Sequence, residues 1–223
     1  DVLSGAVHWR DVHVVTRRSA EELANLGVRP GTRVVLNRLW RRPLYFQDCV
    51  AAHFLDDRAP LLAVLGVARE IARRRDELHG DLYLVLTTME EESNAGALFA
   101  ARRLPGDISI AVEVGPTVAE YGTRLCRDPI VNSGDSKGYY SRHVTDRLLR
   151  AAERCQYQPQ AALLVDFASD ASALLSHGEA AQVGCIGIPT ENTHGFEIVL
   201  EEGIEACRRT LVEFLVQPPD DEA

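Results

Sequence analysis

The sequence predicts an α/β fold: a three-layer α/β/α sandwich with a mostly parallel central sheet, preceded by the remnant of a small accessory β domain. From about residue 48, helical apolar patterns alternate with short, fully apolar runs that are typical of strands covered on both faces. Such alternation favours helical crossovers between parallel strands. We therefore divide the chain into an accessory segment (residues 1–47), a main domain (48–217) and a disordered tail (218–223).

The accessory segment combines β-rich runs with one brief helix. One run, residues 12–15, precedes the helix, and a second, residues 33–40, follows it. Ser19 and Glu22 form a capping-box pair at the start of the helix. Because so small a sheet is not stable alone, we expect this segment to be the end of an accessory β domain or an insertion.

The main domain contains predicted strands and helices in alternation. The predicted strands are 82–86, 108–114, 162–165 and 183–188. The predicted helices are 61–78, 96–103, 141–155, one starting at 170, and 201–215. Gly80 ends the first of these helices, and a Pro-Gly pair ends the second.

Composition excludes several classes of protein. With 46% apolar and 26% charged residues, the chain is an ordinary globular protein, and its net charge of -9 argues against binding to nucleic acid or to an anionic membrane. There is no apolar run of about 18 residues and no leader at the start. The five cysteines are scattered and never spaced as C-x-x-C, which indicates neither disulfides nor a thiolate metal site and favours a reducing, cytoplasmic location.

Acidic residues and one histidine follow the predicted strands. Glu90 and Glu91 come after 82–86, Glu113 lies in 108–114, and His194 follows 183–188; Asp56 stands ahead of the first long helix. In open α/β sheets, functional residues cluster outside the carboxyl ends of the strands. Carboxylates gathered there would repel one another, so a multivalent cation is their natural partner.

Each of these segments also has an ordinary structural interpretation. The run 90–92 could be an acidic helix start, 56–58 a local ion pair and His194 a loop histidine. Glu113 differs, because a buried carboxylate without a partner costs several kcal/mol and must be paired, protonated or metal-bound.

Taken together, the segments match a known set of motifs in order and spacing. The matching stretches are 18–22 through 27–31, Leu55-Asp56-Asp57-Arg58, Glu90-Glu91 with Gly96-Ala97, Val112-Glu113-Val114, Ser169-Asp170-Ala171, and Ile188-Pro189 through His194 to Glu197. They resemble the glutamyl and tetrahedral aminopeptidases, once labelled cellulase M or endoglucanase M. The resemblance covers nearly the whole chain.

The resemblance implies a role for each site residue. Asp56 would bridge two divalent ions, zinc or cobalt, with Glu91 and Glu113 each completing the ligand set of one ion and His194 as a terminal ligand. Glu90 would be the general base, with the pair in an extended segment so that the two side chains point opposite ways. The implied reaction is removal of N-terminal residues from peptides by a water that the two metals activate. The family also implies a homo-oligomer, in the form of a dodecamer built from dimers.

The sequence departs from the family pattern in places. Family members carry a further metal-ligating histidine in a His-x-Asp motif ahead of the accessory β domain, and residues 1–47 contain no such motif. Either this chain lacks the N-terminal part of the catalytic domain or it is a divergent member with an incomplete site, and its opening without Met favours the first. Glu113 replaces the more usual aspartate, which keeps an oxygen donor.

Two other functions fit the same residues. One is another dinuclear-metal hydrolase, such as a carboxypeptidase or an amino-acid deacylase, which would differ in the substrate pocket. The other is a non-catalytic assembly subunit that keeps the fold and has lost a metal.

Overall fold

The computed structural model describes residues 8–218. The prediction of a disordered tail at 218–223 therefore falls outside the described residues, except for residue 218. The chain divides into two compact units, Asp1–Asn37 and Arg38–Ala223. Residues 38–47, predicted to belong to the accessory segment, lie in the larger unit because a strand within them pairs with the next strand along the chain. The role of the first unit as part of an accessory β domain stays a prediction.

Within residues 8–37, the described part of the first unit, there are two short helices. They are a 3-10 turn at Trp9–Asp11 and α1 at Ala20–Asn25. The capping box at the start of α1 is confirmed: the Glu22 amide donates to Ser19 Oγ at 3.2 Å, and the Ser19 amide donates to Glu22 Oε2 at 2.7 Å. The predicted strands are wrong within the described residues 8–37, where no strand forms and Val12, Val14 and Val15 are exposed. An alternating pattern forms a strand only when a partner strand is present to accept its backbone hydrogen bonds.

The second unit alternates strands and helices. The strands are β1 Leu44–Phe46, β2 Cys49–His53, β3 Ile108–Pro116, β4 Ile130–Asp135, β5 Gly138–Tyr139, β6 Gln160–Leu164, β7 Gln182–Glu191 and β8 Phe196–Leu200. The helices are α2 Leu55–Ile71, α3 Glu90–Ser93, α4 Ala95–Ala101, α5 Arg142–Arg154, α6 Asp170–Ser176 and α7 Glu201–Val216, with 3-10 turns at Arg75–Glu77 and Ala119–Tyr121. Within residues 8–218, no helix is long and apolar enough to cross a membrane.

The strands of the described chain form one eight-stranded sheet. In it β1, β2, β8, β7, β4 and β5 are successive neighbours, while β3 also pairs with β7 and β6 with β4. The α/β class is confirmed, but the prediction of a mostly parallel sheet is wrong. Among the described residues only β3–β7 and β4–β6 pair in parallel; the other five pairings are antiparallel. The physical reason is short connections: residues 47–48 join β1 to β2 and residues 192–195 join β7 to β8, and loops this short return the chain antiparallel.

The sheet is covered on both faces, which confirms the three-layer arrangement. Along β7, Ile186 and Ile188 pack in the main apolar core with residues of α2, α5 and α7. Val183 and Cys185 point the other way and pack with Ala171 of α6. This alternation follows from the two-residue period of a strand.

The apolar run 82–86 was predicted to be a buried strand, and this prediction is wrong. No strand forms there, and the side chains stay partly exposed, with Leu86 at 60%. An apolar run is buried only when another element covers it, and no strand of the described chain pairs with this one.

Candidate metal centre

Asp56 lies where β2 passes into α2. Phe54 takes a left-handed conformation (φ 62°), and the α-helical backbone is not established until after Asp57. This irregular turn carries Asp56 and Asp57 at the end of β2, as expected for functional residues beside a sheet.

Glu197 ties this turn to the loop that carries His194. Its Oε2 accepts hydrogen bonds from the amides of Leu55 (2.5 Å) and Asp56 (3.0 Å), and its Oε1 accepts from the amide of His194 (3.0 Å). Glu197 is 1% exposed, so these three donors replace the water that a carboxylate would otherwise need. Glu197 belongs to the closing motif, and no role was predicted for it from the sequence, although a glutamate in the apolar run FEIVL was an available signal.

Glu90 and Glu91 begin the short helix α3, so the prediction that they lie in an extended segment is wrong. Met89 turns the chain through a left-handed conformation (φ 62°) directly before them. The turn is closed by the amide of Gly96, which donates to the carbonyl oxygen of Thr88 at 3.1 Å. In a helix, successive side chains are separated by about 100°, so the two glutamates still diverge.

Three of the predicted ligands form one group: Asp56, Glu91 and His194. His194 Nε2 lies 3.4 Å from Asp56 Oδ2 and 3.2 Å from Glu91 Oε2. The His194 side chain is 67% exposed, so the group opens to the surface.

A second group consists of Asp56, Asp57 and Glu113. Within each group, the candidate ligand atoms all lie within 4.8 Å of one another. Asp56 is common to both groups, as a residue bridging two ions would be. Asp57 was not predicted as a ligand from the sequence; the available signal was that Asp57 directly follows Asp56.

Glu113 reaches the site from β3, which pairs with β7 alone among the described strands. In the parallel register of β3 with β7, Glu113 stands beside Gly187, with Ala111 beside Cys185 on the same face. This is the face opposite the main apolar core, and the neighbouring glycine adds no side chain next to the carboxylate.

The site raises the pKa of its own carboxyl groups. Burial, followed by the charges of Glu91 and Glu197, raises the pKa of Asp56 to about 6, with His194 acting in the opposite direction. Partial burial and then the charge of Asp170 raise the pKa of Glu90 to about 7.

The second group is affected more strongly. Loss of hydration in the crowded cluster, followed by the charge of Asp56, raises the pKa of Asp57 to about 9. Burial and then the charge of Asp57 raise the pKa of Glu113 well above its ordinary value. Keeping all of these groups ionised therefore requires a compensating positive charge.

A divalent cation fits this arrangement. Carboxylate oxygens and one imidazole nitrogen are donors that zinc and cobalt accept. The raised pKa values of Asp56, Asp57 and Glu113 show that these carboxyl groups have too little positive charge near them to stay ionised. The site could therefore hold metal at both donor groups.

Similar proteins share this sequence pattern and fold. The chain is 25% identical over 201 residues to the lysyl aminopeptidase of Pyrococcus furiosus, an alignment covering 85% of this chain and 54% of that protein. The structure resembles aminopeptidase APDkam598 of Desulfurococcus kamchatkensis, with a TM-score of 0.80 at 22% identity, over 90% of this chain and 57% of that one.

A further similar structure is the TET1 peptidase of Pyrococcus horikoshii, which can assemble into a tetrahedron or a large octahedral shell. Its TM-score is 0.68 at 20% identity, covering 75% of this chain and 50% of that chain. This chain thus spans little more than half the length of these relatives. The M42 glutamyl aminopeptidase family matches residues 5–210, and because that match covers most of the sequence, the chain belongs to this family.

Proposed function

We propose that the protein is a metal-dependent aminopeptidase that removes N-terminal residues from peptides and uses two divalent ions, zinc or cobalt. The observation that carries this proposal is the pair of donor groups that share Asp56. Asp56, Glu91 and His194 would hold one ion, and Asp56, Glu113 and Asp57 the other. When bound, a pair of divalent ions polarises a scissile carbonyl and lowers the pKa of the attacking water.

Glu90 is the proposed general base. It stands beside both donor groups without belonging to either, and its carboxylate is half-buried. With its pKa raised to about 7, it can take a proton from the attacking water and pass it to the leaving amine near neutral pH.

The acidity of the site supports action at a peptide N-terminus. A free α-amine is positively charged at neutral pH, and the five carboxylates of the site outnumber the four positive charges of two divalent ions, which leaves the site net negative: Asp56, Asp57, Glu90, Glu91 and Glu113. An N-acylated peptide lacks that charge. We therefore propose that the protein is an exopeptidase that requires a free amine.

Self-association is part of the proposal. The Pyrococcus horikoshii relative can assemble into a tetrahedron or a large octahedral shell, and by likeness we propose that this protein forms a homo-oligomer, a dodecamer. Light scattering of the purified protein measures the assembly directly. A reducing, cytoplasmic location is also proposed, in keeping with free cysteines at all five positions.

Three variants of the intact protein test the mechanism. Glu90→Gln should keep bound metal and abolish release of free amino acids from peptide substrates, whereas Asp56→Ala should lose metal. Glu92→Gln is the matched control, because Glu92 is an exposed neighbour in α3 that belongs to neither donor group. Full activity of Glu90→Gln would remove Glu90 from the role of base.

Metal analysis and a substrate panel separate this proposal from its alternatives. A catalytic protein should hold about two zinc or cobalt ions per chain, while an assembly subunit would hold fewer and cleave nothing. The panel contains matched peptides with a free or acetylated N-terminus. Cleavage of acetylated substrates, or removal of C-terminal residues, would instead support a deacylase or a carboxypeptidase.

A further inference from the structure

Asn94 lies next to the proposed base and is held firmly at its backbone. It joins α3 to α4 in a left-handed conformation (φ 53°, ψ 22°) and is 4% exposed. Its amide donates to the carbonyl oxygen of Met89 at 2.8 Å, and its own carbonyl accepts from the amide of Leu98 at 3.1 Å. The side chain therefore projects from a fixed point.

The Asn94 side chain makes three hydrogen bonds. Its Oδ1 accepts from Lys137 Nζ at 2.5 Å, and its Nδ2 donates to Glu90 Oε1 at 3.0 Å and to Asp170 Oδ1 at 3.1 Å. An ammonium only donates and carboxylates only accept, so these partners permit one orientation of the amide. A flipped amide would set its oxygen against two carboxylates and its NH₂ against an ammonium.

The far side of this network is also anchored. Asp170 is the first residue of α6, and its Oδ2 accepts from Thr87 Oγ1 at 2.6 Å. Asn94 thus fills the space between an anchored carboxylate and the carboxylate of Glu90, supplying one N–H to each. Without it, two like charges would face each other with no donor between them.

Glu90 depends on this single contact. Within the described residues, its carboxylate accepts a hydrogen bond from Asn94 alone and forms no ion pair. The bond engages Oε1 and leaves Oε2 for proton transfer. Lys137, the only lysine in the sequence, is in turn the group that orients the Asn94 amide.

We propose that Asn94, oriented by Lys137, is a positioning residue that holds the Glu90 carboxylate for proton transfer. This inference rests on the proposed function of Glu90. Misplacing a catalytic group by about 1 Å can cost about 100-fold in rate. Loss of the Asn94 side chain should therefore reduce kcat while leaving substrate binding and metal content intact, since Asn94 contacts neither donor group.

Asn94→Gly tests this without backbone strain, because glycine adopts the left-handed conformation freely. We expect a kcat about 100-fold lower, with KM and bound zinc within about twofold of the wild type. Combining Asn94→Gly with Glu90→Gln should lower the residual rate no further than Glu90→Gln alone, because both changes disable one base. A normal kcat in Asn94→Gly would overturn the proposal. So would a double variant that is slower than Glu90→Gln by the same factor by which Asn94→Gly is slower than the wild type.

Lys137 provides an independent test should Asn94→Gly lose metal or fold poorly. Lys137→Met removes the donor from an exposed side chain, and Lys137→Arg restores one; Ser136→Ala, in the same turn, is the control. We expect a lower kcat with unchanged KM for Lys137→Met only, and equal rates in all three variants would overturn the proposal. A wild type that releases no amino acid would overturn the proposed function as well, whereas an active wild type matched by all variants would overturn the positioning role alone.

Discussion

Asp56→Asn should stabilise the metal-free protein at high pH while abolishing metal binding. The Asp56 side chain is 14% exposed, and burial together with the charges of Glu91 and Glu197 raises its pKa from 3.8 to about 6. The ionised form of Asp56 is therefore disfavoured in the folded protein. Asparagine has nearly the same shape and no charge to accommodate.

The sign and size of the effect follow from linkage. Between about pH 4 and pH 6 the folded state keeps a proton on Asp56 that the unfolded chain releases. The contribution of protonated Asp56 to the free energy of unfolding is therefore full below about pH 4 and is lost as the pH rises through about 6. Above that range, ionised Asp56 costs the folded state about 3 kcal/mol. We expect metal-free Asp56→Asn to exceed the wild type in unfolding free energy by up to about 3 kcal/mol at pH 8, and by only about 1 kcal/mol at pH 4.5.

Chemical denaturation in the presence of a chelator, at both pH values, measures this difference. Asp76→Asn, at an exposed position in the 3-10 turn Arg75–Glu77, is the control and should change stability little at either pH. Added zinc should then raise the stability of the wild type and leave Asp56→Asn unchanged. A variant no more stable than the wild type at pH 8, or one whose gain is the same at pH 4.5, would refute the reasoning.

Two further substitutions probe how the site is held. A β-carbon at Gly96 would lie 2.6 Å from the amide nitrogen of Thr88, so Gly96→Ala should displace the turn that carries Glu90 and Glu91. Calorimetry should therefore measure weaker zinc binding in Gly96→Ala. The control is Gly106→Ala, where a β-carbon meets nothing within 4 Å, and it should bind zinc normally. Unchanged affinity in Gly96→Ala would contradict this account. Glu197→Gln replaces one acceptor oxygen with a donor facing backbone amides, so it should cost about 3 kcal/mol in unfolding free energy. The control is Glu92→Gln, at an exposed position. If the two variants have equal unfolding free energies, the hydrogen bonds of the three amides do not need the charge of Glu197.

The sequence predicted most of the helices because their signals are local. The helix at Arg142–Arg154 and the final one at Glu201–Val216 match their predicted ranges within a residue or so, since apolar periodicity and end signals both lie within the element. The strand at Ile108–Pro116 was recognised for the same reason.

Strand pairing was not predictable in this way. The run 82–86 has the composition of a buried strand, yet it forms none, because burial depends on a covering element elsewhere in space. Short loops around β1 and β8 turned a sheet predicted to be mostly parallel into a mostly antiparallel one. Neither outcome is encoded in the local pattern of apolar residues.

For the candidate site, the sequence by itself determined which residue types were available and in what order. Motif order and the placement of acids beside strands were enough to select Asp56, Glu90, Glu91, Glu113 and His194. Only the tertiary structure decided how they meet. It brought Asp57 into the second donor group, made Glu197 the link between two loops, and placed Asn94 between two carboxylates. The physical reason is that side-chain chemistry is a property of each residue, whereas distances of a few ångströms between residues far apart in sequence arise only once the backbone is folded.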